Sequence, residues 1–269
     1  RNSALHQYAQ QHQLNHATAK KGSALSFSFA RAIKKYCQLC NIDLLHTHDS
    51  HAHTFAFLAG RFFNNSTPII VSRRVDFKIK KGWLSGLKYH YEKVIHIICV
   101  SEFIQKIVKD ALPEKAISTV HDGIDLERFP MKNSNKLREE FCLGKNTILI
   151  GNIASVAPHK DYFTFVRTAE IIIQNGYDAH FFIIGGDGGQ LTDIQRFVKK
   201  KGLERRIHIT GFRNDISEIL PSLDIFLFTS KTEGLGTSIL DAFVSGIPVV
   251  ATNAGGIPEI VQNNDTGLI

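Results

Sequence analysis

Ile225-Phe226-Leu227-Phe228 carries no polar residue on either side, so as a strand it needs apolar cover on both faces. A parallel sheet with helices packed above and below it meets that need. No other stretch narrows the fold as far. The rest of the sequence agrees, because short β-rich runs alternate with longer helical ones, the pattern of successive parallel α/β units. Strands are expected over 42–46, 68–72, 96–100 and 116–120, then over 147–153, 180–184, 207–210, 224–228 and 248–251. Helices are expected over 24–40, over 101–112 with Ser101 as N-cap, and over 161–175, with others between the later strands. The polar stretch from Met131 to Lys145 separates two strand–helix series, which places one domain at 1–129 and a second at 130–269. The chain starts at Arg1 in a polar stretch and stops at Leu268-Ile269 just as a strand begins. Both domains are therefore expected to be partial.

Composition narrows the setting. No apolar run approaches the roughly 18 residues of a membrane-spanning helix. Four cysteines among 269 residues do not make a secreted disulfide framework, which predicts a reducing, cytoplasmic location. A net charge of +7, with 13 histidines besides, predicts an anionic partner. Nucleotide phosphates, anionic lipid and nucleic acid all satisfy that charge, but no nucleic-acid recognition motif accompanies it, so no nucleic acid is expected.

The chemistry concentrates in the stretch from Ser230 to Phe243, which follows an apolar strand and opens a helix. Gly234 and Gly236 let the backbone approach a ligand closely. The amides of Leu235, Gly236, Thr237 and Ser238 are expected to point out of a helix N-terminus, where free N–H groups and the positive end of the dipole receive phosphate. Glu233 precedes the loop, and Asp241 is expected about two turns into the helix. One carboxylate would then sit on each side of a bound diphosphate, suited to accept hydrogen bonds from vicinal sugar hydroxyls.

Together with Pro248-Val249-Val250-Ala251-Thr252 and Gly255-Gly256-Ile257-Pro258-Glu259, this stretch closely resembles glycosyltransferase family four, of the GT-B fold. That fold is α/β, with two Rossmann-like domains facing a cleft. Weaker matches at His46-Thr47-His48, Val100-Ser101-Glu102, Asp122-Gly123-Ile124-Asp125, Pro158-His159-Lys160 and Gly211-Phe212-Arg213 extend the likeness along the chain. The resemblance implies retaining transfer of a hexose or related sugar from a nucleoside diphosphate to an acceptor hydroxyl. It also implies work in cell-surface polysaccharide or lipopolysaccharide synthesis, with a glycan or lipid-linked acceptor and no metal or other cofactor. By the same resemblance Glu233 contacts the donor sugar, Lys160 contacts the diphosphate and Asp241 grips the ribose. Gly234, Leu235, Gly236, Thr237 and Ser238 form the donor loop, and Arg213 joins the donor-binding set. The family usually carries Glu where Asp241 stands, and it carries Arg where Ser155 stands, which removes one positive charge from the donor side. Arg74 takes the position of a family His after the second strand of the first domain, with Arg73 beside it. An Arg there suits an anionic acceptor or a departing phosphate.

Other features have blander readings. In the tract from His46 to His53, alternate spacing at a strand end follows from the pleat, so no metal site is expected, and a loop His such as His51 or His53 is an acceptor-side candidate. The segment 78–93 mixes lysines with Trp83, Leu84, Leu87 and Tyr91 and is a candidate for peripheral contact with an anionic membrane. The competing functional readings are a non-catalytic nucleotide-sugar or polyanion-binding module and a nucleotide-sugar epimerase on the same fold.

Overall fold

The structure, a computed structural model, describes residues 4–20, 22, 25–79, 82–129 and 133–269. The chain divides into two compact units: residues up to Cys99 with Gln105–Thr119, and Val100–Ile104 with Val120–Ile269.

In the first unit the order is α1 (Ala4–Gln11), α2 (Phe27–Leu39), β1 (Leu45–Thr47), α3 (Ser50–Phe63), β2 (Ile69–Arg73), α4 (Trp83–His90), β3 (Val94–Cys99), α5 (Glu102–Ala111) and β4 (Ile117–Thr119). The first turn of α5 belongs to the second unit. The four strands form a parallel sheet in the order β1-β2-β3-β4, with Thr47 opposite Val71 and Arg73 opposite Cys99. Phe55, Phe57, Leu58 and Ala59 of α3 pack with Ala30 of α2 in a buried cluster.

The sequence expectation leaves His51 and His53 in a loop, and the structure corrects it: both lie in α3. Asp49 is the cap, its carboxylate accepting from the amides of His51 and Ala52 at 2.7 and 2.8 Å. Such a cap supplies about 1 kcal/mol of helix stability. His51 stays exposed in the first turn, whereas His53 is fully buried. Of the segment 78–93, Lys80 and Lys81 and the side chains of Trp83 and Leu84 lie outside the described residues. Leu87 is exposed, but Lys88 and Tyr89 turn inward and are buried. Among the described residues no helix is long and apolar enough to cross a membrane.

The second unit runs through α6 (Lys136–Glu140), β5 (Ile148–Ile153), α7 (Tyr162–Gln174), β6 (Ala179–Ile184), α8 (Leu191–Lys200), β7 (Ile207–Gly211), α9 (Ile216–Ile219), β8 (Ile225–Phe228), α10 (Thr237–Val244) and β9 (Val249–Ala251). Its five parallel strands stand in the order β7-β6-β5-β8-β9. Alternation along the strands splits the core in two, as the apolar β8 run requires. Phe226 and Phe228 join Phe182, Ile184, Leu149 and Ile239 in one layer, while Leu227 joins Phe181, Ile183, Tyr162 and Phe165 in the other. Each fully buried Phe or Leu adds roughly 1.5–3 kcal/mol.

Strands β6 and β7 also carry a pH-sensitive contact. His180 Nδ1 and His208 Nε2 lie 2.8 Å apart and the rings stack, with Phe141 and Phe182 against His208. Burial first, then the neighbouring His180, pulls His208 down to about 4, and burial chiefly lowers His180 as well. Because the folded value lies below the unfolded one of about 6.5, the unfolded chain takes up protons that the folded chain refuses. Stability is therefore expected to fall as pH drops from about 6.5 to about 4, and then to level off for this group. Urea midpoints measured across that range should slope less steeply in His208→Gln than in wild type. An unchanged slope would remove His208 as the source.

Candidate active site

In the second sheet β5 leads outward to β6 and β7 on one side, while β8 returns beside β5 and leads to β9 on the other. The strands thus grow outward from β5 on one side and from β8 on the other, and the order of addition reverses between these two parallel neighbours. In open parallel sheets, ligands bind in the crevice outside the carboxyl ends of strands at such a switch point. The loops that leave β5 and β8 are stitched together there. Lys231 N donates to the His159 carbonyl at 2.8 Å, and the Thr229 hydroxyl donates to the Lys160 carbonyl at 3.1 Å. This brings Lys160, at the end of the 3-10 turn Pro158–Lys160, onto Glu233, and the ammonium donates to the Glu233 carboxylate. Ser230 Oγ lies 3.3 Å from the same oxygen, and the ammonium stands 5.2 Å from the centre of the Phe228 ring. Both members of the pair are largely shielded, with side chains 14% and 16% exposed, so the pair is more than a surface ion pair of negligible worth.

The backbone of Glu233 and Gly234 is held by the Gly-Gly turn downstream. Gly256 N donates to the Glu233 carbonyl at 3.0 Å. A Cβ on Gly255, whose φ is +59°, would fall 2.0 Å from the Glu233 carbonyl oxygen, and one on Gly256 would fall 2.3 Å from that of Gly234. No side chain larger than hydrogen fits at either position. Gly236 then opens α10 at φ +92° and brings no capping oxygen, so no side chain caps the first-turn amides of Thr237 and Ser238. Leu235 is buried, Thr237 exposed and Ser238 half-buried. Uncapped amides at a helix start form an anion receptor beside the Lys160 ammonium.

Asp241 lies only a little beyond one turn into α10, closer to its start than the two turns expected, because the helix begins at Thr237. Burial raises its carboxyl above the ordinary value, opposed by Arg128, whose Nη1 is 3.7 Å from Asp241 Oδ1. Sequence reasoning missed Arg128. The signal for it was the match at Asp122–Asp125, which leads straight into the 3-10 turn Leu126–Arg128.

The remaining candidates lie elsewhere. Ser155 is exposed in the loop after β5. Arg213, beyond β7, donates to both oxygens of Glu140 at 2.7 and 2.9 Å and to both of Asp215 at 2.8 and 2.7 Å. These two carboxylates raise its guanidinium further, and it in turn holds Glu140 and Asp215 low, so its placement is that of a brace. Glu259, in the 3-10 turn Ile257–Glu259, accepts from the amides of Glu102 and Phe103 at 2.7 and 2.8 Å and contacts His121 Nε2 at 2.8 Å, all within the second unit. The Gly-Gly-Ile-Pro-Glu run therefore fixes a helix start as well as the backbone of Glu233 and Gly234. His51, Arg73 and Arg74 belong to the first unit, after β1 and at the end of β2.

A family model described as Glycosyl transferases group 1 matches residues 133–269, and one for Glycosyltransferase Family 4 matches residues 5–128. The chain belongs to the glycosyl transferases group 1 family. Among curated members, a UDP-Gal:alpha-D-GlcNAc-diphosphoundecaprenol alpha-1,3-galactosyltransferase from Escherichia coli is 28% identical over 239 residues, covering 84% of this chain and 62% of its own. An N-acetyl-alpha-D-glucosaminyl L-malate synthase from Bacillus anthracis is 26% identical, with 90% of this chain and 65% of its own covered. The chain thus spans less than two thirds of the length of these relatives. Among solved structures, Anabaena Alr3699/HepE in complex with UDP-glucose superposes with a TM-score of 0.83 at 20% identity, covering all of this chain and 75% of that one. A glycosyltransferase from Rickettsia africae gives 0.80 at 20% identity, with 99% and 73% covered. These likenesses show the fold: two parallel-sheet α/β units of the GT-B type.

Proposed function

We propose that the protein transfers a sugar, with retention of configuration, from a nucleoside-diphosphate sugar to the hydroxyl of a glycan or lipid-linked acceptor in cell-envelope synthesis. The observation that carries this reading is the Lys160–Glu233 pair set beside the uncapped start of α10 at the switch point between β5 and β8. Lys160 and the amides of Leu235 to Ser238 stabilise the negative charge that develops on the leaving diphosphate, the electrostatic term that dominates such reactions. Glu233 orients the donor sugar and Asp241 the ribose. A departing phosphate oxygen takes the acceptor proton, so neither an enzyme base nor a metal ion is called for. Ser155, lacking charge, leaves Lys160 as the cation of this loop. On this reading Arg213 serves the donor site by holding the end of β7 in place.

The named relatives support the substrate classes. One is named for a galactosyl donor and a diphosphoundecaprenol acceptor, and the Anabaena structure holds UDP-glucose. A lipid-linked acceptor would place the work at the cytoplasmic face of a membrane. The exposed Phe27, Phe62 and Leu87, which with Arg61 line one apolar groove of the first unit, support peripheral contact there.

The test is a panel of UDP-, GDP- and ADP-sugars on the full-length protein, followed by thermal shift and repeated with Lys160→Ala and Glu233→Ala. One donor class should stabilise the wild type, by about 2.7 kcal/mol at a hundredfold excess over Kd, and neither variant. If no donor stabilises the wild type, the donor-site assignment fails and polyanion binding becomes the better reading.

A further inference from the structure

The first unit buries positive charge without an ionic partner. Arg73 is 9% exposed and Lys88 5%, and among the described residues neither has a carboxylate within ion-pair distance. Arg73 donates to the Tyr89 hydroxyl at 3.4 Å and to the Phe77 carbonyl, while its Nε, also buried, finds no acceptor. Lys88 Nζ donates only to neutral oxygens: the Ser50 carbonyl and hydroxyl at 3.2 and 3.0 Å and the Thr54 hydroxyl at 3.3 Å. Asp49, an acid that weighs on Lys88, spends one carboxylate oxygen on the α3 amides. Each cation is desolvated, each repels the other, and burying a charge without an ionic partner is unfavourable.

Arg73 lines a cavity of about 280 Å³, together with His48, Asp49, Ser50 and His53 from the start of α3 and Ser72 and Arg74 from the end of β2, and Lys88 stands behind Ser50. His53 Nε2 donates to the Lys88 carbonyl at 3.1 Å, so its Nδ1 is the bare nitrogen, buried and without a donor. His53 is held to about 3 by burial and by Lys88, and brings no charge to the cavity near neutral pH. The wall therefore offers one strong cation in Arg73 and, in Ser50, a hydroxyl fixed by a second. Among the described lining residues the one carboxylate is Asp49, which caps α3, so positive charge outweighs negative around the cavity.

We infer that this cavity binds an oxyanion, a phosphate or carboxylate group, with Arg73 as its principal ligand and Lys88 as the supporting charge behind Ser50. The volume exceeds a single phosphate group and leaves room for the atoms that carry it, so the anion enters as part of a larger molecule. Assigning that molecule as the sugar acceptor rests on the transferase reading. The anion site itself does not.

The experiment titrates inorganic phosphate, and separately acetate, into the full-length protein by calorimetry at constant ionic strength, using wild type, Lys160→Ala, Arg73→Gln and Lys88→Met. Wild type and Lys160→Ala should both bind one of the two anions saturably, because removing the Lys160 ammonium weakens only the receptor at the start of α10. Arg73→Gln should weaken that binding by about 10- to 100-fold, the worth of a charged hydrogen bond. Circular dichroism checks the fold, and if Arg73→Gln fails to fold, Lys88→Met decides on the same criterion, with a loss of about tenfold. Preference for phosphate over acetate names a phosphate-bearing ligand, and the reverse a carboxylate. Binding unchanged in both variants, binding lost only in Lys160→Ala, or no saturable binding to wild type would each overturn the site. Anion binding that depends on Arg73 beside a failed donor panel would keep the site and discard the acceptor.

Discussion

Lys160→Ala lowers kcat/KM for sugar transfer by about 10²- to 10³-fold, the usual cost of one preorganised group facing charge that develops in the transition state. The loss should appear in kcat as well as in KM, because the diphosphate that Lys160 holds in the bound donor gains further charge as the bond breaks. The side chain also has a structural role, and removing it leaves Glu233, 16% exposed, without its cation. One partner deleted from a shielded ion pair commonly costs about 3–5 kcal/mol, so Lys160→Ala and Glu233→Ala should each melt earlier than wild type. The double variant should recover part of that stability, since no lone charge remains, while recovering no activity. Steady-state rates with the donor chosen by the panel, beside melting curves for all four proteins, separate the two effects. If Lys160→Ala melts early but turns over normally, the lysine is a brace and the mechanism above is wrong.

The second large effect comes from a residue with no side chain. Gly255→Ala would set a methyl 2.0 Å from the Glu233 carbonyl oxygen and 2.9 Å from its carbonyl carbon and its nitrogen, at a φ of +59° that alanine resists. Every one of those atoms is backbone, so no rotamer change relieves the clash. The expected cost is about 3 kcal/mol or more, which lowers Tm by roughly 6–12 °C for a unit of this size. Because the displaced group is Glu233 itself, donor-induced stabilisation should vanish together with the Tm. A Gly176→Ala control, also at positive φ but with nothing within 4 Å, isolates backbone strain from the clash. If the two variants melt alike, the Gly-Gly turn does not hold the donor loop.

Much of this was legible from local sequence. The apolar run at 225–228 demanded a sheet covered on both faces, and the core splits into two layers across it. Asp161, expected to start a helix, is the N-cap of α7, its side chain accepting from Thr164 N. The glycine loop between an apolar strand and a helix was legible too, but the contacts of the Gly-Gly turn downstream of it were not. Gly255 and Gly256 touch Glu233 and Gly234, more than twenty residues upstream, and no periodicity reports that contact. The histidine tract misled for a related reason. Read for chemistry it suggested a loop, while the cap at Asp49 and the run from Thr54 to Phe63 already spelled a helix.

The sequence alone determined the kind of sheet, the family and the loop where phosphate chemistry is to be sought, because strand patterning and a strand–glycine–helix motif depend on near neighbours. Only the tertiary structure decided which charges meet. Lys160 reaches Glu233 across 73 residues because β8 returns to the side of β5. Arg213 is taken by Glu140 and Asp215, and Arg73 and Lys88 are buried with no carboxylate at ion-pair distance among the described residues. A charged residue looks the same in sequence whether it is solvated, paired or stranded. The order of the strands and the depth of burial set the partner and the dielectric, and those two quantities decide what the charge does.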